Sequence, residues 1–163
     1  MKTKKILVVS DSHGRLDHFR KALKNMEGYL DHMFFLGDCE CDPRMIQQVV
    51  PCDIDFVRGN CDSSLYGKPN STIVERYGHR FYLTHGHMFG YGDTEAMFEA
   101  AAANDCDALL FGHTHIPMIE RRDGIVLANP GSISRPRQEG HRPSYMVINI
   151  EEDGPMDFHI VYL

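Results

Sequence analysis

Five short segments of this sequence carry side chains that bind metals. They are Asp11-Ser12-His13-Gly14, Gly37-Asp38-Cys39-Glu40, Gly59-Asn60-Cys61-Asp62, His85-Gly86-His87 and Gly112-His113-Thr114-His115. Ten histidines are many for 163 residues, and four of them fall in the last two segments. Carboxylate and carboxamide oxygens mixed with imidazole nitrogens suit Mn, Fe, Zn or Ni rather than Ca, which takes oxygen ligands alone. Singly, each segment is weak: D-x-H and G-D recur by chance, and a lone histidine is usually a core or surface residue. The pair in Gly112-His113-Thr114-His115 is stronger, because two histidines two apart at a strand end can reach different ions. The weight lies in the set and its order.

Positioning that set is the work of a repeated pattern. Short apolar runs, "KILVVS", "HMFFLG", "IDFVRG", "RFYLT" and "ALLFG", each end abruptly in one of the five segments. Continuous apolar runs of this length fit strands buried on both faces. Helical patterns lie between several of them. Leu16, Phe19, Leu23 and Met26 form one apolar face, Pro43 suits a first helical turn, and Asp93 suits the cap of an alanine-rich helix. Strand–helix–strand alternation implies parallel pairing, and open α/β sheets bind ligands at the carboxyl ends of their strands. The second half is richer in strands, with hairpins expected about Gly78-His79, Asp123-Gly124 and Asp153-Gly154. The expected fold class is α/β (α+β), two sheets packed face to face with helices outside, in a single domain over residues 1–163.

Composition removes other classes. A net charge of -6 and a pI of about 5.9 argue against broad nucleic-acid binding, which needs a basic surface. No apolar stretch approaches the roughly 18 residues of a membrane span. The apolar part of the N-terminal "MKTKKILVVS" is too short for a signal peptide. Five cysteines, an odd number without a C-x-x-C pair, read as reduced thiols in a cytoplasmic protein. Cys39 and Cys41 have no second pair nearby, so a structural zinc site is rejected.

The segments DSHG, GDCE, GNCD, THGH and GHTH, in this order, resemble the calcineurin-like metallophosphoesterases. Together with the later NPGS, they resemble the small single-domain phosphodiesterases of the YfcE type. That resemblance runs from about residue 5 to 135. It implies a four-layer αββα sandwich of two mixed β-sheets flanked by helices. It also implies two divalent ions, manganese first, with Fe, Zn or Ni as the others. Asp11, His13, Asp38 and His115 would hold one ion; Asp38, Asn60, His85 and His113 would hold the other, with Asp38 between them. The implied reaction is hydrolysis of a small phosphodiester by in-line attack of a metal-bridging hydroxide, since metal coordination lowers the pKa of water from 15.7 to about 7. The alternatives are a phosphomonoesterase or nucleotide pyrophosphatase on the same site, or a non-catalytic scaffold of the retromer-subunit kind, which the filled ligand positions disfavour. The expected partner is a small phosphate ester, with no nucleic acid and no membrane, and the apolar end "FHIVYL" fits a homodimer edge or a buried strand equally well.

Asp38, Asn60, Cys61, Asp62 and His87 make up the expected catalytic group. Many members of the superfamily carry G-N-H-E where this chain has Gly59-Asn60-Cys61-Asp62, the histidine protonating the leaving oxygen. A thiol there is a weak donor, so slow turnover and a preference for activated leaving groups are expected. His87 reads as a support for the ligands or a substrate contact. His18, His32, His79, His141 and His159 read as ordinary surface or core histidines. Asn129, Gly131 and Ser132 resemble the family's late motif beside the metal site, and read at least as well as a tight loop closing the sheet as they do as direct participants in catalysis. Arg135 and Arg137 read as solvated loop charges.

Overall fold

A computed structural model of the chain describes residues 2–63 and 67–163. Its first sheet is built from β1 (Thr3–Val9), β2 (His32–Phe35), β3 (Ile54–Phe56), β9 (Ser144–Glu151) and β10 (Met156–Tyr162). Their spatial order is β10-β9-β1-β2-β3, with β1, β2 and β3 parallel and β9 and β10 antiparallel. The second sheet contains β4 (Ser71–Arg76), β5 (His79–Thr84), β6 (Ala108–Leu110), β7 (Met118–Arg122) and β8 (Ile125–Asn129). Its order is β4-β5-β6-β8-β7, with a parallel β5, β6, β8 core and antiparallel edges.

Two-residue periodicity sorts the apolar side chains into layers. Ile6 and Val8 of β1 join Phe34, Phe81, Leu83, Leu110, Ala128, Met146 and Ile148 in one buried cluster drawn from both sheets. The sheets therefore face each other. Leu7 and Val9 point the opposite way and pack with Met33 and Phe35 under α1 (Asp17–Asn25) and α2 (Pro43–Val49), through Phe19, Ala22 and Ile46. On the far side, Leu109, Phe111 and Leu127 meet Met97, Phe98 and Ala101 of α3 (Thr94–Ala103). Helix, sheet, sheet and helix form the expected αββα sandwich. The central strands read as unbroken apolar runs because both of their faces are covered.

The helix starts agree with their sequence signals. Asp42 accepts a hydrogen bond from Arg44 N ahead of Pro43, and Asp93 accepts one from Ala96 N. One hairpin sits a residue earlier than expected. Arg76 pairs with His79, so the turn is Tyr77-Gly78, with φ of 52° and 82°. Both central residues of this tight turn are left-handed, and glycine takes the second place rather than the first. The Asp123-Gly124 turn falls where expected, at φ of 51° and 79°.

Candidate metal centre

The parallel strands of both sheets deliver the metal-binding segments to one end of the sandwich. Asp11 and His13 follow β1, Asp38 follows β2, Asn60 follows β3, His85 follows β5, and His113 and His115 follow β6. Backbone hydrogen bonds tie these loops together: Asp11 N to Gly37 O, His13 N to Asp38 O, and Gly112 N to His85 O. The two sheets are joined at the site by His113 N, which donates to Asp11 Oδ2 at 3.1 Å. Asp11, His13, Asp38, His113 and His115 all adopt left-handed backbone, with φ between 46° and 68°. Each such residue costs about 1–3 kcal/mol and persists only where its surroundings over-determine it.

Every well-oriented side chain spends one end outward and leaves the other free. Asp11 Oδ2 accepts from Ser10 Oγ and His113 N, while Oδ1 is buried without a hydrogen-bond partner. Asp38 Oδ1 accepts from Cys61 N at 2.8 Å. The Nδ1 atoms of His13, His85 and His115 donate to Glu40 Oε2, Leu36 O and Arg135 O, each at 2.7 Å. Their Nε2 atoms therefore point inward. His85 Nε2 is buried without a hydrogen-bond partner, 3.2 Å from Asp38 Oδ2. His115 Nε2 lies 3.2 Å from Asp11 Oδ1 and 3.2 Å from His13 Nε2. Bare imidazole nitrogens facing one another and two carboxylates, all oriented from behind, fit a bound cation. Ligand atoms gather into the groups Asp11, His13, His115 and Asp38, His85, His113, each within 4.8 Å. These residues fit the divalent metals on which the family depends.

The local field also favours a cation. Burial pushes the Asp11 carboxyl up, but the imidazoles of His115 and His13 beside it outweigh this and hold it well below the usual carboxylate range. Asp38 is lowered in the same way: His85 and the Cys61 N–H overcome its burial. His13 is raised, first by Asp11. Burial pushes His85 down, yet Asp38 and Asp11 raise it overall. Burial and the neighbouring His85 lower both His87 and His113.

The remaining expected residues take distinct places. Asn60 is exposed at the rim of an open cleft of about 400 Å³ shared with Arg58, Asp62, Asn70 and His87. Cys61 is exposed, with its sulfur in a third group beside His13 and Asp38. Burial and the Asp38 carboxylate push its thiol up to about 11. Asp62 accepts from Gly59 N and Glu40 N, so it braces two loops. The ring of His87 lies 5.6 Å from His85, and its Nδ1 is buried without a hydrogen-bond partner.

The Asn129–Ser132 segment is a brace. Asn129 Nδ2 donates to Gly112 O and Thr114 Oγ1, and Ser132 Oγ donates to Asp11 O. Arg135 serves through its carbonyl, which orients His115, while the Arg137 guanidinium donates to Tyr91 Oη. Glu40, the carboxylate that orients His13, carries only a weak signal for that role in the sequence, an acid two residues past Asp38. Tyr91, whose ring lies 5.8 Å from His113, carries none.

Comparison with known proteins agrees with this geometry. Residues 5–153 match the family model of the calcineurin-like phosphoesterase superfamily domain. Over 149 residues the chain is 32% identical to the probable metallophosphoesterase YsnB of Bacillus subtilis, covering 91% of this chain and 85% of YsnB. Over 102 residues it is 36% identical to the phosphodiesterase YfcE of Escherichia coli, covering 57% of this chain and 50% of YfcE. A crystal structure of a predicted phosphoesterase of Streptococcus pneumoniae superposes with a TM-score of 0.84 at 28% identity, covering 99% and 91% of the two chains. Vacuolar protein sorting 29 of Cryptosporidium parvum shares the fold alone, with a TM-score of 0.79 at 18% identity over 99% and 98%. The expected segments, their meeting at one end of the sandwich and the family match lead to one conclusion: the chain belongs to the calcineurin-like phosphoesterase superfamily.

Proposed function

We propose that this protein is a cytoplasmic, divalent-metal-dependent phosphodiesterase acting on small phosphodiesters at a dinuclear centre. The observation that carries the proposal is the convergence of unpartnered ligand atoms. Asp11 Oδ1 and His85 Nε2 are both buried without hydrogen-bond partners, and His13 Nε2 faces His115 Nε2 across 3.2 Å. Asp11, His13 and His115 would hold one ion and Asn60, His85 and His113 the other. Asp38 would be shared, its Oδ2 lying 3.7 Å from His13 Nε2 and 3.2 Å from His85 Nε2. Manganese is the proposed metal. When bound, such a pair of dications supplies activated water for in-line displacement at phosphorus and screens charge on the substrate oxygens.

The chain's own residues do the rest. Glu40, Leu36 and Arg135 fix the imidazole tautomers through Nδ1, keeping each Nε2 free of a proton. The Cys61 N–H holds Asp38 Oδ1, so that Oδ2 faces the ligand cluster. The Cys61 Sγ–H and His87 would serve as proton donors to the leaving oxygen. A weak thiol donor there favours leaving groups that depart as stable anions. The name of YfcE supports diesters over monoesters.

A second reading is a scaffold, favoured by the fold shared with vacuolar protein sorting 29. The test is to strip the protein with chelator, refill it with Mn²⁺, and assay bis(4-nitrophenyl) phosphate, 4-nitrophenyl phosphate and a nucleoside diphosphate sugar. Hydrolysis led by the diester, and lost in Asp38→Asn, supports the proposal. An inert refilled protein favours the scaffold.

A further inference from the structure

Asp38 is followed by Cys39, Glu40 and Cys41, and the two sulfurs lie 2.9 Å apart. That is within about 1 Å of the ~2.05 Å of a disulfide bond. All five cysteines are free thiols. Cys39 is buried in the core beneath α1 and α2; Cys41 is partly buried against the same core and is the accessible member. The residue between them is the one that orients His13, through Glu40 Oε2 and His13 Nδ1 at 2.7 Å. Glu40 is held in left-handed backbone, φ 51°, with its N–H donating to Asp62 Oδ1. Cys39 O in turn accepts from Gly14 N and Ser12 Oγ, in the loop that carries His13.

We propose that Cys39 and Cys41 are a redox-modification site. A reversible disulfide between them draws Glu40 away from His13 and loosens the metal centre.

The step balances with a hydroperoxide as oxidant. The Cys41 sulfur attacks a peroxide oxygen, breaking the O–O bond to give a sulfenic acid and water. The Cys39 sulfur then attacks the Cys41 sulfur and releases the second water. Two thiols and one hydrogen peroxide become one disulfide and two waters; sulfur loses two electrons and the peroxide oxygens gain them. A bridge across a single intervening residue is strained, and strained disulfides are the readily reduced, regulatory ones. In a reducing compartment the bond forms under oxidant and reverses afterwards.

The test treats the full chain with hydrogen peroxide, then blocks remaining thiols and maps peptides by mass. Cys39 and Cys41 are expected to be protected together, joined to each other and released by dithiothreitol. In the metal-free protein, the His13 Nδ1 proton is expected to lose its hydrogen-bonded NMR shift on oxidation. Mn²⁺ affinity is expected to fall about 10- to 100-fold, as for loss of a ligand's outer partner. Cys41→Ser should abolish all three changes. The proposal is overturned if both thiols stay alkylatable, if the bridge forms to Cys61 instead, or if the bridge leaves the His13 proton unmoved. Failure of the reduced protein to bind Mn²⁺ overturns the loosening of a metal centre, along with the functional reading. The thiol and NMR results still decide the disulfide itself.

Discussion

His13 and His115 present their Nε2 atoms to each other across 3.2 Å, although each Nδ1 already donates elsewhere. Two lone pairs in that position repel unless a proton or a metal lies between them. Metal removal should therefore cost stability. Chelated protein should melt lower than protein with Mn²⁺ at 100 times its Kd. Binding at that excess is worth about 2.7 kcal/mol, which corresponds to roughly 5–10 °C for a chain of this size. Calorimetry with and without chelator measures this, and an unchanged melting temperature would count against the site.

Glu40→Ala should weaken metal binding about 10- to 100-fold by freeing His13 to rotate and change tautomer. Glu40→Gln keeps an oxygen acceptor and should lose less. Titration calorimetry with Mn²⁺ on both variants separates this orienting role from simple loss of charge, which would affect the two equally.

Gly112 lies against the first carboxylate. A Cβ there would overlap Ser10 Oγ and come within 2.6 Å of Asp11 Oδ2. Gly112→Ala should therefore turn Asp11 away from its donors. The expected result is about 1–3 kcal/mol of destabilisation, as for overpacking, with metal affinity lost alongside. Denaturant melts and Mn²⁺ titration on one sample report both.

Cys61→His should be at least as active as the parent on bis(4-nitrophenyl) phosphate and gain most on diesters with poor leaving groups. A positioned general acid is worth about 10²–10⁴-fold. Steady-state rates across leaving groups of rising pKa measure the change. A collapse of activity with the metals still bound would show that the thiol has another role.

Asp55 gives a pH test away from the metal centre. Burial pushes its carboxyl up, but the hydrogen bond to His32 and the Arg76 guanidinium outweigh this and lower it overall. A carboxylate lowered in the folded state stabilises above its unfolded pKa, about 3.9, and loses that contribution as pH falls through the folded value. Asp55→Asn should narrow the gap in melting temperature between pH 6 and pH 2. An equal acid sensitivity in the variant would assign the loss to other groups.

The sequence by itself marked the strand ends and the metal-binding side chains gathered at them. Apolar runs of this length fit strands buried on both faces, so the polar clusters that stop them fall at the strand ends. Asp11, His13, Asp38, Asn60, His85, His113 and His115 could be named as candidate ligands for that reason, and the Pro43, Asp93 and Asp123-Gly124 signals were readable because they depend on neighbours in the chain. Only the tertiary structure decided how these groups face one another. Nothing local indicates that β8 lies between β6 and β7, or that β5 and β6 bring His85 and His113 against residues from the other sheet. The left-handed backbone of the ligand loops is likewise unreadable, because it persists through hydrogen bonds such as Ser132 Oγ to Asp11 O, 121 residues apart. The orienting roles of Glu40, Leu36 and Arg135 were hidden for the same reason. Orienting an imidazole takes any acceptor at the right distance, and distance across a fold is not written in residue type.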